Sequence, residues 1–126
     1  GTIFIQTKAG SLAELMGILP QSAIDEITSK NIRVLYLDTA AIAREVATSQ
    51  DLVVRMQGIV LLGIFLRSTP YAQGMDESAL YSAIEKSLRK YFGKRGEKVV
   101  QENLTCVRRG FEEVNICESS ELEVNA

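Results

Sequence analysis

The run Ile32-Arg33-Val34-Leu35-Tyr36-Leu37-Asp38 is apolar at almost every inner position and bounded by polar residues. Alternation would mark a strand wet on one face, whereas a continuous run marks one covered on both, as in a parallel sheet. A second run of β-branched and aromatic residues, Thr2-Ile3-Phe4-Ile5-Gln6-Thr7, precedes it. Between them, Lys8-Ala9-Gly10-Ser11 reads as a strand-to-helix turn in which Ser11 caps a short helix over 12–17. Pro20 stands where a first helical residue tolerates proline, and Ala23, Ile24 and Ile27 recur at helical spacing up to Lys30-Asn31. Strand, helix, strand in that order implies a right-handed crossover and an α/β fold. A chain that opens on a strand, with no Met and no leading polar turn, is expected to be part of something larger, with a piece before Gly1 missing.

Thr39 is positioned to cap a helix over 40–47, with Ile42, Ala43 and Val46 on one side. From 52 to 66 the polar face disappears, since Met56, Ile59, Val60, Leu62, Ile64 and Phe65 surround the axis. A helix apolar all round is buried against more than one neighbour: a sheet and a second helix, or a partner subunit. Ser68-Thr69-Pro70-Tyr71-Ala72-Gln73-Gly74 is the clear loop. Asp76 then caps a helix with Leu80, Ile84, Leu88 and Tyr91 inward and Glu77, Glu85, Lys86, Arg89 and Lys90 outward, acid early and base late as the helix dipole favours. Gly93 and Gly96 punctuate the junction to a closing helix with Val100, Leu104, Val107, Phe111 and Val114 on one face. Residues 1–117 are expected to form a single α/β domain, and 118–126 an acidic, mobile tail.

Composition narrows the function classes. The chain has 126 residues, 46% of them apolar and 24% charged, which suits a soluble globular domain of ordinary size. A net charge of −2 lacks the basic footprint of a nucleic-acid binder. No histidine occurs, so the commonest general base and commonest metal ligand are both missing. Cys106 and Cys117 form neither a CxxC pair nor a Cys/His cluster, which disfavours zinc and iron–sulfur ligation. Read as the end of one helix and its exit, their spacing holds them roughly 16 Å apart, too far for a disulfide. Free thiols suit a reducing cytoplasm. The N-terminal residues lack the basic start and cleavage site of a signal peptide, and the longest uncharged apolar run, 58–66, is about half a membrane span.

The candidate site residues are cations. Lys94, Arg95 and Lys98 form a basic corner at a helix junction where a phosphate can dock on side chains and free N–H groups; the plainer alternative is a solvated turn neutralising the preceding helix end. Asp38 ends a predicted strand, at the edge where α/β folds place ligands, and is equally suited to capping. The Lys8 turn holds a single glycine, and neither strand is followed by a dinucleotide or P-loop fingerprint. Neighbouring acids such as Asp25-Glu26 and Glu112-Glu113 point apart on their helices and are not acid/base pairs. Met56 and Phe65 read as core rather than cofactor box.

Five stretches in order carry a family resemblance: Leu19-Pro20, Lys30 through Asp38, Ile42-Ala43-Arg44-Glu45-Val46, Met56-Gln57, and the junction Tyr91-Phe92-Gly93-Lys94-Arg95-Gly96-Glu97-Lys98-Val99-Val100 with Asn103. Together they resemble the gamma subunit or domain of 2-oxoacid:ferredoxin oxidoreductases, the pyruvate enzyme above all, over residues 1–113. In that family a Tyr-Gly-Lys-Lys-Gly-Glu-Lys-Val-Val junction joins two closing helices. The resemblance implies a three-layer α/β/α domain with a mostly parallel sheet, closing on two C-terminal helices. It also implies a place in an assembly that oxidises a 2-oxoacid with coenzyme A to an acyl-CoA and carbon dioxide, electrons passing to ferredoxin or flavodoxin. Thiamine diphosphate and the iron–sulfur clusters are then held by other domains or subunits, and this chain is a scaffold beside the active site with a share in admitting or binding coenzyme A.

Departures from the family pattern bear on that role. The glycine-rich strand-turn-helix that opens the gamma chain would precede Gly1, and a Thr-Asn-Thr before the Met-Gln is replaced by Thr48-Ser49-Gln50-Asp51-Leu52-Val53-Val54-Arg55. Arg55 is thereby a candidate for an interdomain or coenzyme contact, with a structural ion pair as the plainer role. Lys8, Arg55, Lys94 and Arg95 are the cofactor-binding candidates; no catalytic or metal-ligating residue is expected. Two other readings stand beside the first: a non-catalytic, self-associating module derived from that domain, and a small-anion binder using Lys8 and the Lys94-Arg95-Lys98 corner.

Overall fold

The structure, a computed structural model, describes residues 1–68, 74 and 76–125, and the side chains of all of these except Val124 and Asn125. Residues 69–73 of the predicted loop lie outside the described residues. The chain divides into two compact units, Gly1–Asp38 with Val114–Ala126, and Thr39–Glu113.

The first unit is built on a three-stranded sheet in the order β1-β2-β3. β1 (Thr2–Gln6) runs parallel to β2 (Arg33–Leu37), with Thr2 opposite Arg33 and Gln6 opposite Leu37. β3 (Asn115–Cys117) lies antiparallel on the other edge of β2, pairing Val34 with Cys117 and Tyr36 with Asn115. The central position of β2 is what its unbroken apolar run requires, and Val34, Leu35, Tyr36 and Leu37 are all buried. An α/β fold is therefore present. Of the two strand pairings among the described residues, one is parallel and one antiparallel.

Between β1 and β2 lie α1 (Leu12–Ile18) and α2 (Gln21–Ser29). Ser11 caps α1, its Oγ accepting from the Glu14 N–H at 3.2 Å. Pro20 sits just ahead of α2, and the chain leaves that helix through Asn31, whose φ of 53° is left-handed. Leu15, Ile24, Ile27, Val34, Tyr36, Cys117 and Leu122 form one core cluster.

Two expectations for the C-terminus change here. The apolar spacing through Val114 reads as continuing helix, but the closing helix stops at Glu113 and the following residues form β3. The stretch expected to be an acidic mobile tail contains α7 (Ser119–Asn125), and Leu122 within it is 0% exposed. One leucine flanked by the exposed Glu121 and Glu123 is enough to dock a short helix. The Ser119 hydroxyl, donating to Asn31 Oδ1, fixes its first turn.

The second unit is helical: α3 (Thr39–Val46), α4 (Val53–Ser68), α5 (Glu77–Phe92) and α6 (Glu97–Glu113), with 3-10 turns at Gln50–Leu52 and Gly93–Arg95. Thr39, expected as a cap, is the buried first residue of α3. Asp76 does cap α5, accepting from the Ala79 N–H at 2.6 Å. α6 is the axis against which α3, α4 and α5 pack. Leu88, Val100 and Leu104 join it to α5, with Ile84 and Phe92 against them. Arg109 joins it to α3, reaching Glu45 at 2.7 Å and Glu113 at 2.6 Å; the Glu113 hydrogen bond, then that of Glu45, raises its pKa.

α4 and α6 cross at two glycines. A Cβ on Gly63 would stand 2.0 Å from the Val107 carbonyl oxygen, and one on Gly110 would stand 2.2 Å from that of Val60. Only glycine admits backbones this close. The Met56–Cys106 and Val60–Gly110 contacts show α4 and α6 running the same way, whereas Glu85–Gln101 and Arg89–Glu97 show α5 running opposite to α6. α4 and α5 are consequently antiparallel.

Candidate functional site

The cations singled out in the sequence are all exposed. Lys8 follows β1 in the first unit; Arg55 lies in the first turn of α4; Lys94 and Arg95 occupy the Gly93–Arg95 turn, with Lys98 in the first turn of α6. None of these five, Arg55 included, makes an ion pair among the described residues. Chain continuity gathers Lys94, Arg95 and Lys98 at one turn. Asp38 accepts a hydrogen bond from Gln6 Nε2 at 2.8 Å, which ties together the ends of β1 and β2.

The second unit also carries an apolar cavity that the helical spacing does not announce. It is a groove of about 640 Å³ between α4 and α5, floored by Ile59, Leu62 and Leu66 on one side and by Leu80, Ile84 and Leu88 on the other. Tyr91, expected to point inward, is 75% exposed at its margin. α4 is therefore not buried all round: Met56, Val60, Ile64 and Leu66 are covered, while Val54, Leu61, Leu62 and Phe65 stay open. The apolar periphery of α4 was legible as a demand for cover, and within its own unit that demand is met on one side.

A smaller polar pocket between α5 and α6 is lined by Ser78, Tyr81, Ser82, Glu85, Leu104 and Arg108. The Arg108 guanidinium lies 4.7 Å over the Tyr81 ring, and Tyr81 meets Phe111 edge-on at 5.9 Å. Burial, with the Glu112 and Glu77 carboxylates, pushes the Tyr81 phenol up to about 12. It keeps its proton at neutral pH and serves as a packed anchor, not a base.

The buried titratable groups are poor reagents for chemistry. Burial pushes Cys106 and Cys117 each up to about 11, and Cys106 Sγ rests 3.8 Å from Met56 Sδ. Unfolded thiols ionise near about 8.5 while the folded ones keep their protons to about 11, so between these values the unfolded state binds fewer protons. Stability should accordingly fall as pH rises through that window, and substituting Cys106 by alanine should flatten the slope measured by urea unfolding. Glu102 is 8% exposed, and among the described residues both its carboxylate oxygens lack a hydrogen-bond partner, as does Asn103 Oδ1. An unpartnered buried acceptor is destabilising. Glu102→Met should therefore raise the unfolding free energy by about 1–3 kcal/mol, read from the urea midpoint at constant slope.

Among the described residues no group of three or more His, Cys, Asp or Glu is placed to hold a metal ion, and no helix is long and apolar enough to cross a membrane. Two cysteines are also fewer than the four thiolates an iron–sulfur cluster takes. The family model for pyruvate ferredoxin/flavodoxin oxidoreductase matches residues 1–113, which end with the last residue of α6 and leave β3 and α7 outside. No curated protein matches the chain.

Proposed function

The chain belongs to the pyruvate ferredoxin/flavodoxin oxidoreductase family, and on that premise we propose that it is a gamma-type domain of a pyruvate-class 2-oxoacid oxidoreductase, acting as a scaffold in the assembly. The reaction of that assembly joins the acyl group of the oxoacid to the thiol of coenzyme A, releases carbon dioxide, and passes two electrons to ferredoxin or flavodoxin. Thiamine diphosphate, which stabilises the carbanion left by decarboxylation, and the iron–sulfur clusters belong to other domains or subunits. The observation that carries this reading is the match over residues 1–113. The three-layer, mostly parallel arrangement is part of it, with β1 and β2 as its parallel pair. So is the cytoplasmic setting, which suits two free thiols.

Within such an assembly the contribution of this chain is surface. Val54, Leu61 and Phe65 present apolar area that another subunit would cover. The exposed cations Lys8, Arg55, Lys94 and Arg95 are the candidates for the phosphates of coenzyme A. Co-expression with a thiamine-diphosphate-dependent subunit tests the reading: the two should co-purify, and pyruvate- and coenzyme-A-dependent reduction of ferredoxin should require both. Full turnover without this chain, with no association at micromolar concentration, counts against it. The same exposed apolar residues favour a second reading, a self-associating module, for which a stable homodimer indifferent to that subunit is the expected result.

A further inference from the structure

We propose that the groove between α4 and α5 receives an amphipathic helix of a partner polypeptide, one whose apolar stripe is edged with Asp or Glu along the side facing α5. Its dimensions suit a helix. The lining of α5 runs from Leu80 to Phe92, which at 1.5 Å per residue is roughly 18 Å, or a little over three turns. The groove is open, with Leu62 39% and Tyr91 75% exposed. A small molecule would keep much of its surface wet there, whereas a helix laid lengthwise covers the groove and closes its own apolar face.

Charge selects among helices. On α5, Lys86 and Lys90 stand three residues after the lining residues Ala83 and Ser87, on the flank opposite Glu85 and Arg89, which turn toward α6. On α4, Arg55 lies four residues before Ile59 and extends the stripe Ile59-Leu62-Leu66. None of these three cations has an ion-pair partner among the described residues. Glu77, in the first turn of α5, lies one turn before the lining residue Leu80, at the far end from Tyr91. The long lip is basic, and carboxylates on an incoming helix complement it. A second copy of this chain fits less well. Its exposed apolar stripe is on α4, whose only charges are Arg55 and Arg67, so self-association sets cations beside cations.

Two synthetic peptides of about 16 residues, held helical by a hydrocarbon cross-link on the solvent face, share one leucine stripe and differ only in flanking glutamate or lysine. Fluorescence anisotropy with the full chain should show the glutamate peptide binding more tightly by roughly tenfold, the scale that two exposed ion pairs against two repulsions allow. Lys86→Glu with Lys90→Glu should reverse the preference, and Leu62→Ser with Tyr91→Ser should abolish binding while circular dichroism keeps the native helix signal. Equal affinity for both peptides, no binding of either, or binding untouched by the groove substitutions overturns the proposal. So does a homodimer that dissociates on the same substitutions. Peptide binding is read without any other subunit, so its outcome is independent of the oxidoreductase reading.

Discussion

Gly110→Ala should destabilise the chain by about 3 kcal/mol or more, a large share of the roughly 5–15 kcal/mol that a domain has. The added methyl would meet the Val60 carbonyl oxygen at 2.2 Å and the Val60 side chain at 3.2 Å. The oxygen belongs to the backbone of α4, so relief requires the whole helix to move away from α6. Gly63→Ala makes the reciprocal clash with Val107 and Phe111, and the two substitutions should be non-additive because the first already separates the helices. Gly58→Ala is the control on the same helix. Nothing lies within 4 Å of a Cβ there, so removing a helical glycine should stabilise by about 0.5–1 kcal/mol. Urea midpoints at constant slope read all three. A neutral Gly110→Ala would mean that α4 and α6 do not meet as closely as the structure has them.

This crossing also marks a limit of what the chain's letters disclose. A glycine inside a helical pattern reads as a weak point, and nothing local to Gly63 or Gly110 signals that the residues they meet, Val107 and Val60, lie 44 and 50 positions away. Local chemistry was legible by contrast. Ser11 and Asp76 cap the helices they precede, Asn31 turns the chain after α2, and the unbroken Val34–Leu37 run is the central strand. Boundaries set by packing were not. Val114 keeps the spacing of α6 but falls outside it, and the backbone of the following Asn115–Cys117 finds its partners on β2 instead of in a further helical turn. Tyr91 keeps the inward spacing of α5 yet is open, because α6 covers Leu88 and Ile84 and leaves the last turn's far side uncovered. For the site, the sequence located Lys8, Arg55, Lys94 and Arg95 as cations, and they are surface cations. The groove escaped notice because it depends on how far α4 and α5 splay, which no residue type encodes.

Leu122→Ala should cost about 2–5 kcal/mol, the range for deleting a fully buried leucine side chain. Leu122 is 0% exposed and packs in the cluster with Leu15, Ile24, Ile27, Val34, Tyr36 and Cys117, so the cavity it leaves is walled by both helices and sheet. α7 is a short helix of Ser119–Asn125, too brief to be stable alone, and this contact is what holds it. Loss of the anchor should therefore also expose the amides of α7 and of β3, the strand that covers the outer edge of β2. Glu123→Ala, on the exposed side of the same helix, should change stability by less than about 0.5 kcal/mol. Hydrogen exchange joined to urea unfolding separates the possibilities: fast exchange confined to residues 114–125 in Leu122→Ala, with a lowered midpoint, is the expected pattern. An unchanged midpoint would return this segment to the mobile acidic tail that its composition suggests.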